Sequence, residues 1–391
     1  MIENQSFEGF QRSPCLFLDG QGFKQLAQAA LAWLQVHQAG INALNVYPVP
    51  DGDTGTNMVL TMQSAWREIE HSPERNLGKV AHAMAHGALM GARGNSGVIL
   101  SQIWRGFARS LDEKAVCRAP DLVAACNEAV ATAYKGVVKP VEGTILTVTR
   151  AAAEAAARTA AGTEDLERLL EQMTHAAYEA VLLTPSLLPV LREAGVVDAG
   201  GQGLFVILEG MLRCVRGEAV VGEEALVAAA GPVAAQAQFG EGGYGYDVQF
   251  LIVGDELDVD AIREAINAMG DCPLVVGDPA TVKVHVHVTD PGVPLSYAVR
   301  FGSLRDVVVE DMQAQYREYM AAQGQPARTV QPVDTGIGVV AVASGDGLAQ
   351  VFRSLGASVV VEGGQTMNPS TKDLLEAIEG VPSQEVIVLP N

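Results

Sequence analysis

The stretch Asn45-Val46-Tyr47-Pro48-Val49-Pro50-Asp51-Gly52-Asp53-Thr54-Gly55-Thr56-Asn57-Met58 holds two carboxylates, Asp51 and Asp53, separated by one glycine. Two prolines stiffen the approach and remove backbone donors. An apolar segment of helical spacing follows (Met58, Val59, Met62, Ala65). Paired carboxylates just before a helix are the parts needed to hold a hard cation against an anion, and Mg²⁺ shares oxygen ligands with substrate phosphates. Gly52 and Gly55 allow a sharp turn and close ligand approach. Thr54, Thr56 and Asn57 offer donors to phosphate oxygens at a helix N-terminus. The bland alternative is a capped turn, since Asp and Asn before a helix are ordinary N-caps.

Working outward, Asp19 to about Gln38 has the spacing of an amphipathic helix ending near Gly40. Helical patterns recur over roughly 54–71, 76–91, 96–111, 119–135, 143–161, 164–183, 186–194 and 200–216, and strand-like alternation is nearly absent. An all-α domain follows, and its loops carry the unusual residues. Gly91-Ala92-Arg93-Gly94-Asn95-Ser96-Gly97 opens the apolar helix Val98–Phe107. Gly94 and Gly97 permit close backbone approach, and Asn95 and Ser96 sit where free N–H groups point outward, either an anion site or a plain cap. Glu142–Val148 and Gly195–Gly203 are further Gly/Thr/Asp-rich helix starts. Four such loops in one helical domain are a stronger signal than any one, because N-terminal ends that converge share one anion. There is no P-loop signature and no protein-kinase Lys/His-Arg-Asp set.

The 391 residues suit two or three domains. Aromatics are only 5% against 48% apolar residues, which suits small-residue helix packing. No run approaches a membrane span. A net charge of −20 argues against nucleic-acid binding. Five scattered cysteines without a C-x-x-C pair suit a reducing compartment, and with no signal-peptide pattern at the start the expected location is cytoplasmic.

After a Glu- then Ala/Gly-rich linker (217–243), strands at 246–253, 274–276 and 282–288 alternate with helices at 258–269 and 294–301, and the stretch to about 323 reads as a helical tail containing Asp311, Met312 and Gln315. This is a small α+β domain. In Val284-His285-Val286-His287-Val288, alternation puts both histidines on one strand face. They are either a metal-binding pair or surface histidines of an edge strand. A second linker (324–336) precedes a β-α-β-α-β order: strands 338–343, 358–362 and 385–389, helices 347–355 and 370–378. That order implies a parallel sheet. The loop Glu362–Ser370 lies at a strand's C-terminal edge, where ligands or partners bind. A three-strand sheet is small, so a C-terminal domain cut short, by truncation or by nature, is expected.

The four helix-start loops, in order across roughly 20–216, resemble the dihydroxyacetone kinase L-subunit family, and the whole chain most resembles its fatty acid kinase catalytic-subunit branch. The resemblance implies an antiparallel eight-helix barrel that binds ATP through two Mg²⁺ ions. Asp51 and Asp53 match the last two metal-holding aspartates, and Asn45 falls where the family has the first. Thr54, Gly55, Thr56, Asn57, Asn95 and Ser96 match phosphate-contacting positions, with Gly97 beside them. Thr144 matches a nucleotide-pocket position, and Asp198 and Gly200 match the loop closing over the nucleoside. The family's middle domain holds zinc by a Cys-His-His set whose cysteine follows a tyrosine. Here Tyr246-Asp247 stands at that place, which makes Asp247, His285 and His287 the candidate zinc set and Cys272 a spare.

The expected organisation is therefore a kinase domain (1–216), a middle α+β domain (244–323) and a partial α/β segment (337–391). The expected activity is ATP-dependent phosphorylation of a fatty acid carboxylate. A separate fatty-acid-binding protein of the DegV type presents the acid, and the kinase is a homodimer. A fatty-acid carboxylate is already ionised at neutral pH, so no general base is needed. The alternatives are a small hydroxy-ketone kinase of the dihydroxyacetone type, or a nucleotide- or metal-binding regulatory protein without turnover.

Overall fold

A computed structural model describes residues 14–218, 245–315, 337–343, 357–362 and 385–389, with a few isolated positions between them. The described residues up to 315 form one compact unit, and those from 337 onward form a second.

The first unit begins with a two-residue strand, β1 (Leu18–Asp19), and helix α1 (Gly20–Ala43), capped by the Asp19 carboxylate accepting from Gly22 N–H at 2.8 Å. Then come α2 (Thr54–Ile69), α3 (Leu77–Met90) and α4 (Gly94–Ser110). A second short strand, β2 (Val116–Cys117), pairs with β1, a ladder too short to leave a periodic trace in the sequence. Next are α5 (Ala119–Gly136), α6 (Ile145–Ala160), α7 (Leu166–Leu187), the six-residue α8 (Pro189–Ala194) and α9 (Ala199–Arg216). Each long helix packs on the next, α7 packs on α9, and α9 closes back onto α1. The result is a ring of eight long helices, among the described residues. Small residues allow the close approaches: a Cβ on Gly106 would stand 2.4 Å from the Glu128 carbonyl oxygen across the α4–α5 contact. The interior is apolar, with Phe23 stacked on Phe107 at 5.8 Å between centroids, and Trp104 Nε1–H directed at Met62 Sδ at 3.2 Å.

The ring explains where the site lies. In a closed ring of helices joined by short loops, alternate members start at the same end. The second, fourth, sixth and eighth long helices are α2, α4, α6 and α9. Their N-terminal ends are the four loops singled out above, and they meet at one end of the ring.

The rest of the first unit is a four-stranded antiparallel sheet in the order β4-β5-β3-β6: β3 (Tyr246–Val253), β4 (Asp271–Gly277), β5 (Thr281–Val288) and β6 (Ser303–Asp311). Helices α10 (Val259–Asn267) and α11 (Gly292–Ala298) cover one face, over Val248, Phe250, Ile252, Val282, Val284 and Val286. The other face meets the helical ring. Leu274 and Val276 pack with Leu89, Ala92 and Val98, and Leu274 makes a β-bridge to Val137. The helical tail expected to follow residue 301 is instead β6; residues 312–315 are helical and the remainder lies outside the described residues. The β-branched run Val307-Val308-Val309 favours extended backbone, and its pairing satisfies the open edge of β3.

The second unit holds β7 (Ile337–Ala343), β8 (Val359–Glu362) and β9 (Glu385–Leu389), parallel in the order β8-β7-β9, as the β-α-β-α-β pattern requires. Residues 1–13, all but residues 217–218 of the two expected linkers, most of the expected helices 347–355 and 370–378, and the loop after Glu362 lie outside the described residues.

Candidate functional site

The loop between α1 and α2 decides between a cap and a metal site. Asp53 occupies the N-cap position of α2, yet its side chain makes no capping hydrogen bond. It accepts instead from Asn57 Nδ2 at 2.7 Å. Asp51 accepts from the side-chain amide of Asn45, itself 2% exposed. Burial, then the charge of Asp53, pushes the Asp51 carboxyl far above the ordinary carboxylate range; burial also raises Asp53. Two carboxylates so short of compensating positive charge are the electrostatic signature of a cation site. Gly52 adopts φ 72°, the left-handed turn that brings them together. The helix α4 also lacks a side-chain cap.

The polar face of the middle sheet closes over this loop. Asp247 and Gln249 on β3 stand opposite His287 and His285 on β5. The ligand atoms of Asp247, His285 and His287 all lie within 4.8 Å of one another. His285 Nδ1 lies 3.1 Å from Asp247 Oδ1, an ion-pair contact, and that oxygen and both ring nitrogens of His285 have no hydrogen-bond partner among the described residues. Asp247 Oδ2 accepts from Gln249 Nε2 at 2.7 Å, and Gln249 Oε1 accepts from Gly94 N–H at 3.1 Å, which joins the sheet to the start of α4. Burial, then His285, pushes His287 down to about 4, leaving it a neutral imidazole at pH 7. Lys283 continues the same strand face; burial and Arg93 push its ammonium down to about 8.

A polar cavity of about 30 Å³ lies between the two sets, lined by Asp51, Asp53, Asn57, Asp247, His285 and His287 together with Asn45, Thr54, Asn95 and Ser96. By the volume a water needs, this admits about two ion-sized bodies. Buried unbalanced carboxylates on one wall and orphaned buried donor atoms on the other fit divalent cations. The larger cavity beside it, about 560 Å³, shares Tyr47, Pro48, Asn95 and Ser96 with the first and takes in Thr144, Asp198 and Gly200. Thr144 and Asp198 cap α6 and α9, the latter accepting from Gly201 N–H at 2.7 Å. Burial raises Asp198 to about 7 against that hydrogen bond.

Three expected phosphate positions face elsewhere. Thr56 accepts from Gln38 Nε2 at 2.9 Å and Asn42 Nδ2 at 3.0 Å, and its N–H donates to Asn42 Oδ1. A Cβ on Gly55 would stand 2.4 Å from the Gln38 carbonyl oxygen, and one on Gly97 2.4 Å from Thr61 Oγ1. These residues pin α2 to its neighbours rather than line the cavity. Gly55→Ala is therefore expected to destabilise the protein by about 1–3 kcal/mol, the cost of overpacking, read by chemical denaturation; an unchanged unfolding midpoint would contradict this assignment. Cys272 lines the larger cavity and is not part of the Asp247/His285/His287 cluster. Sequence reasoning misses Gln249 and the 267–274 segment. The polar Asp247 and Gln249 in an otherwise apolar strand are the available signal, since a sheet with apolar residues on one face and buried polar residues on the other must be covered twice.

Comparison with known proteins gives a consistent frame. Residues 48–213 match the DAK2 domain, 243–319 the FakA-like middle domain of fatty acid kinases and 338–391 the FakA-like C-terminal domain of fatty acid kinases. The chain is 42% identical over 387 residues to protein YloV of Bacillus subtilis, covering 96% of this chain and 70% of that protein. It is 39% identical over 389 residues to an uncharacterized protein of Staphylococcus saprophyticus, with the same coverage. A crystal structure of the dihydroxyacetone kinase from C. freundii, in complex with AMP-PNP and Mg²⁺, superposes over 55% of this chain and 37% of that one, at 17% identity and a TM-score of 0.40.

Proposed function

The chain belongs to the family that joins a DAK2 domain to the FakA-like middle and C-terminal domains of fatty acid kinases, and on that footing we propose that it transfers the γ-phosphoryl group of ATP to a fatty acid carboxylate, giving an acyl phosphate. The observation that carries the reading is the convergence of the starts of α2 and α4, whose N-cap residues supply no side-chain cap, the buried pair Asp51/Asp53 and the Asp247/His285/His287 cluster on one small polar cavity beside a larger one.

Asp51 and Asp53 would hold Mg²⁺, which when bound neutralises charge developing on the transferred group. The helix starts at Thr54 and at Asn95–Ser96 direct N–H groups and positive dipole ends at the phosphates. Asn57 and Asn45 hold the two carboxylates in place. Thr144, Asp198 and Gly200 bound the nucleoside end. Asp247, His285 and His287 form a three-ligand set with one face open to the cavity, a pattern suited to zinc, and their place in the same cavity supports a role beside the transferring phosphoryl group rather than a purely structural one. The acceptor is already an anion, so positioning and charge neutralisation carry the chemistry. A separate fatty-acid-binding protein of the DegV type presents it. A homodimer is part of this proposal; Val307 and Val309, exposed on the edge strand β6, support it.

The test is formation of acyl phosphate, trapped as hydroxamate, by the full chain with Mg·ATP and a fatty-acid-loaded DegV-type protein. Product that requires all three supports the proposal. ATP consumption with a hydroxy-ketone and none with the loaded protein would overturn it.

A further inference from the structure

The larger cavity is not built by the helical ring alone. One wall comes from the ring: Ile99, Val137, Lys139, Val141, Thr144 to Leu146, Asp198 and Gly200. The facing wall is Asn267 at the end of α10, Gly270 in the turn after it, and Asp271, Cys272, Pro273 and Leu274 at the start of β4 in the middle domain. Three further contacts set this wall. Leu274 bridges Val137 in the ring. Leu274 and Val276 pack among Leu89, Ala92 and Val98. A Cβ on Gly270 would stand 2.1 Å from the His287 carbonyl oxygen, so the bare glycine lets the turn lie flat on β5, beside the histidine cluster. Cys272 sits at φ 50°, a left-handed conformation uncommon for a residue with a side chain, and lines the cavity.

About 560 Å³ is the size of a site for a whole small-molecule ligand. Its ring-side wall mixes apolar side chains with a few polar groups, and it shares Tyr47, Pro48, Asn95 and Ser96 with the wall of the small polar cavity. A ligand spanning both has a polyanionic end and a flat, partly apolar end, which is the form of a nucleoside triphosphate. We propose that the middle-domain segment Asn267–Leu274 is the second wall of the nucleoside pocket, with Cys272 in contact with the bound nucleoside. This rests on the kinase reading above and deepens it. A ligand that touches both walls binds better when the middle domain is docked, and by reciprocity its binding favours docking. The middle domain then acts on nucleotide affinity, and not on phosphoryl chemistry alone.

The experiment uses the full chain and follows alkylation of each cysteine by iodoacetamide with peptide mass spectrometry, at pH 9 because burial pushes the Cys272 thiol up to about 11. Saturating Mg·ADP is expected to slow labelling of Cys272 by about tenfold or more, while the half-buried Cys15 and Cys214, which line neither cavity, keep their rates. Nucleotide affinity is measured in parallel by calorimetry on the wild type and Cys272→Trp. The tryptophan variant is expected to lose about tenfold in affinity, equivalent to ~1.4 kcal/mol; the left-handed backbone at this position makes some loss of melting temperature expected as well, so its circular dichroism spectrum is compared with that of the wild type. Nucleotide binding without protection of Cys272 overturns this inference and leaves the kinase reading standing. Protection together with normal binding by a folded Cys272→Trp also overturns it. No nucleotide binding by the wild type overturns both.

Discussion

Asp51→Ala and Asp53→Ala, each alone, are expected to lower acyl phosphate formation by roughly a thousandfold, the scale of removing preorganised charge stabilisation from a reaction centre. The metal-free proteins are expected to melt no lower than the wild type. The two effects have one physical origin. Both carboxyls are raised by burial, and Asp51 further by the charge of its neighbour. In the absence of a cation the burial and crowding of the two carboxyls weigh against the folded state, and deleting one member relieves both. The loss on the other side is the hydrogen bond from Asn45 or from Asn57 and the one between the two carboxyls. A simple helix cap would behave in the opposite way: truncation would cost ~1 kcal/mol of stability and leave turnover intact. Measuring turnover and melting on the same preparations separates the two. Near-normal turnover in either variant would remove the metal assignment.

The second large effect belongs to the middle domain. The double variant His285→Ala/His287→Ala is expected to lose roughly a hundredfold in turnover and to carry less metal after purification without chelator. Neither ring nitrogen of His285 has a hydrogen-bond partner among the described residues, so its truncation breaks no such bond in the metal-free protein. Against its burial, both imidazoles hold the Asp247 carboxyl below the usual carboxylate range, so some loss of melting temperature is expected, and a fall in turnover reports on the site where metal content falls with it and the circular dichroism spectrum is unchanged. Equal metal content with normal turnover would return both histidines to an ordinary strand face. Replacing a thiolate by the Asp247 carboxylate exchanges a soft ligand for a hard one. Elemental analysis of the wild type should accordingly show weaker zinc retention than a cysteine at position 247 would give, so Asp247→Cys is expected to hold more zinc.

The sequence is most legible where information is local. The 3.6-residue periods of α1 to α9 and the alternation of β3 and β5 are written in neighbouring residues, and the helix starts are marked by Asp53, Thr144 and Asp198 in their own loops. The strand β6 reads as a helix because Ser303–Asp311 is an edge strand with exposed valines, lacking the buried face that makes a strand recognisable. Side-chain direction around the Asp-Gly-Asp loop is also hidden. Thr54 and Thr56 belong to one motif, yet the first lines the polar cavity and the second is held by Gln38 and Asn42. What a single sequence does not supply is the long-range closure: Gln249 reaching Gly94, and Cys272 reaching the pocket of the ring, across more than a hundred residues of chain. Such contacts depend on the docking of two separately patterned segments, which leaves no periodic trace in either.

The central claim is that the aspartate loop, the helix starts and the histidine strand are parts of a single nucleotide-and-metal site. Anomalous X-ray scattering from crystals of the full chain grown with Mn²⁺ and a non-hydrolysable ATP analogue tests it most directly. The account predicts manganese within bonding distance of both Asp51 and Asp53, phosphates at the starts of α2 and α4, and the nucleoside between Thr144 and Cys272. Manganese and nucleotide bound at another surface, with the Asp51/Asp53 cavity closed and empty, would contradict it.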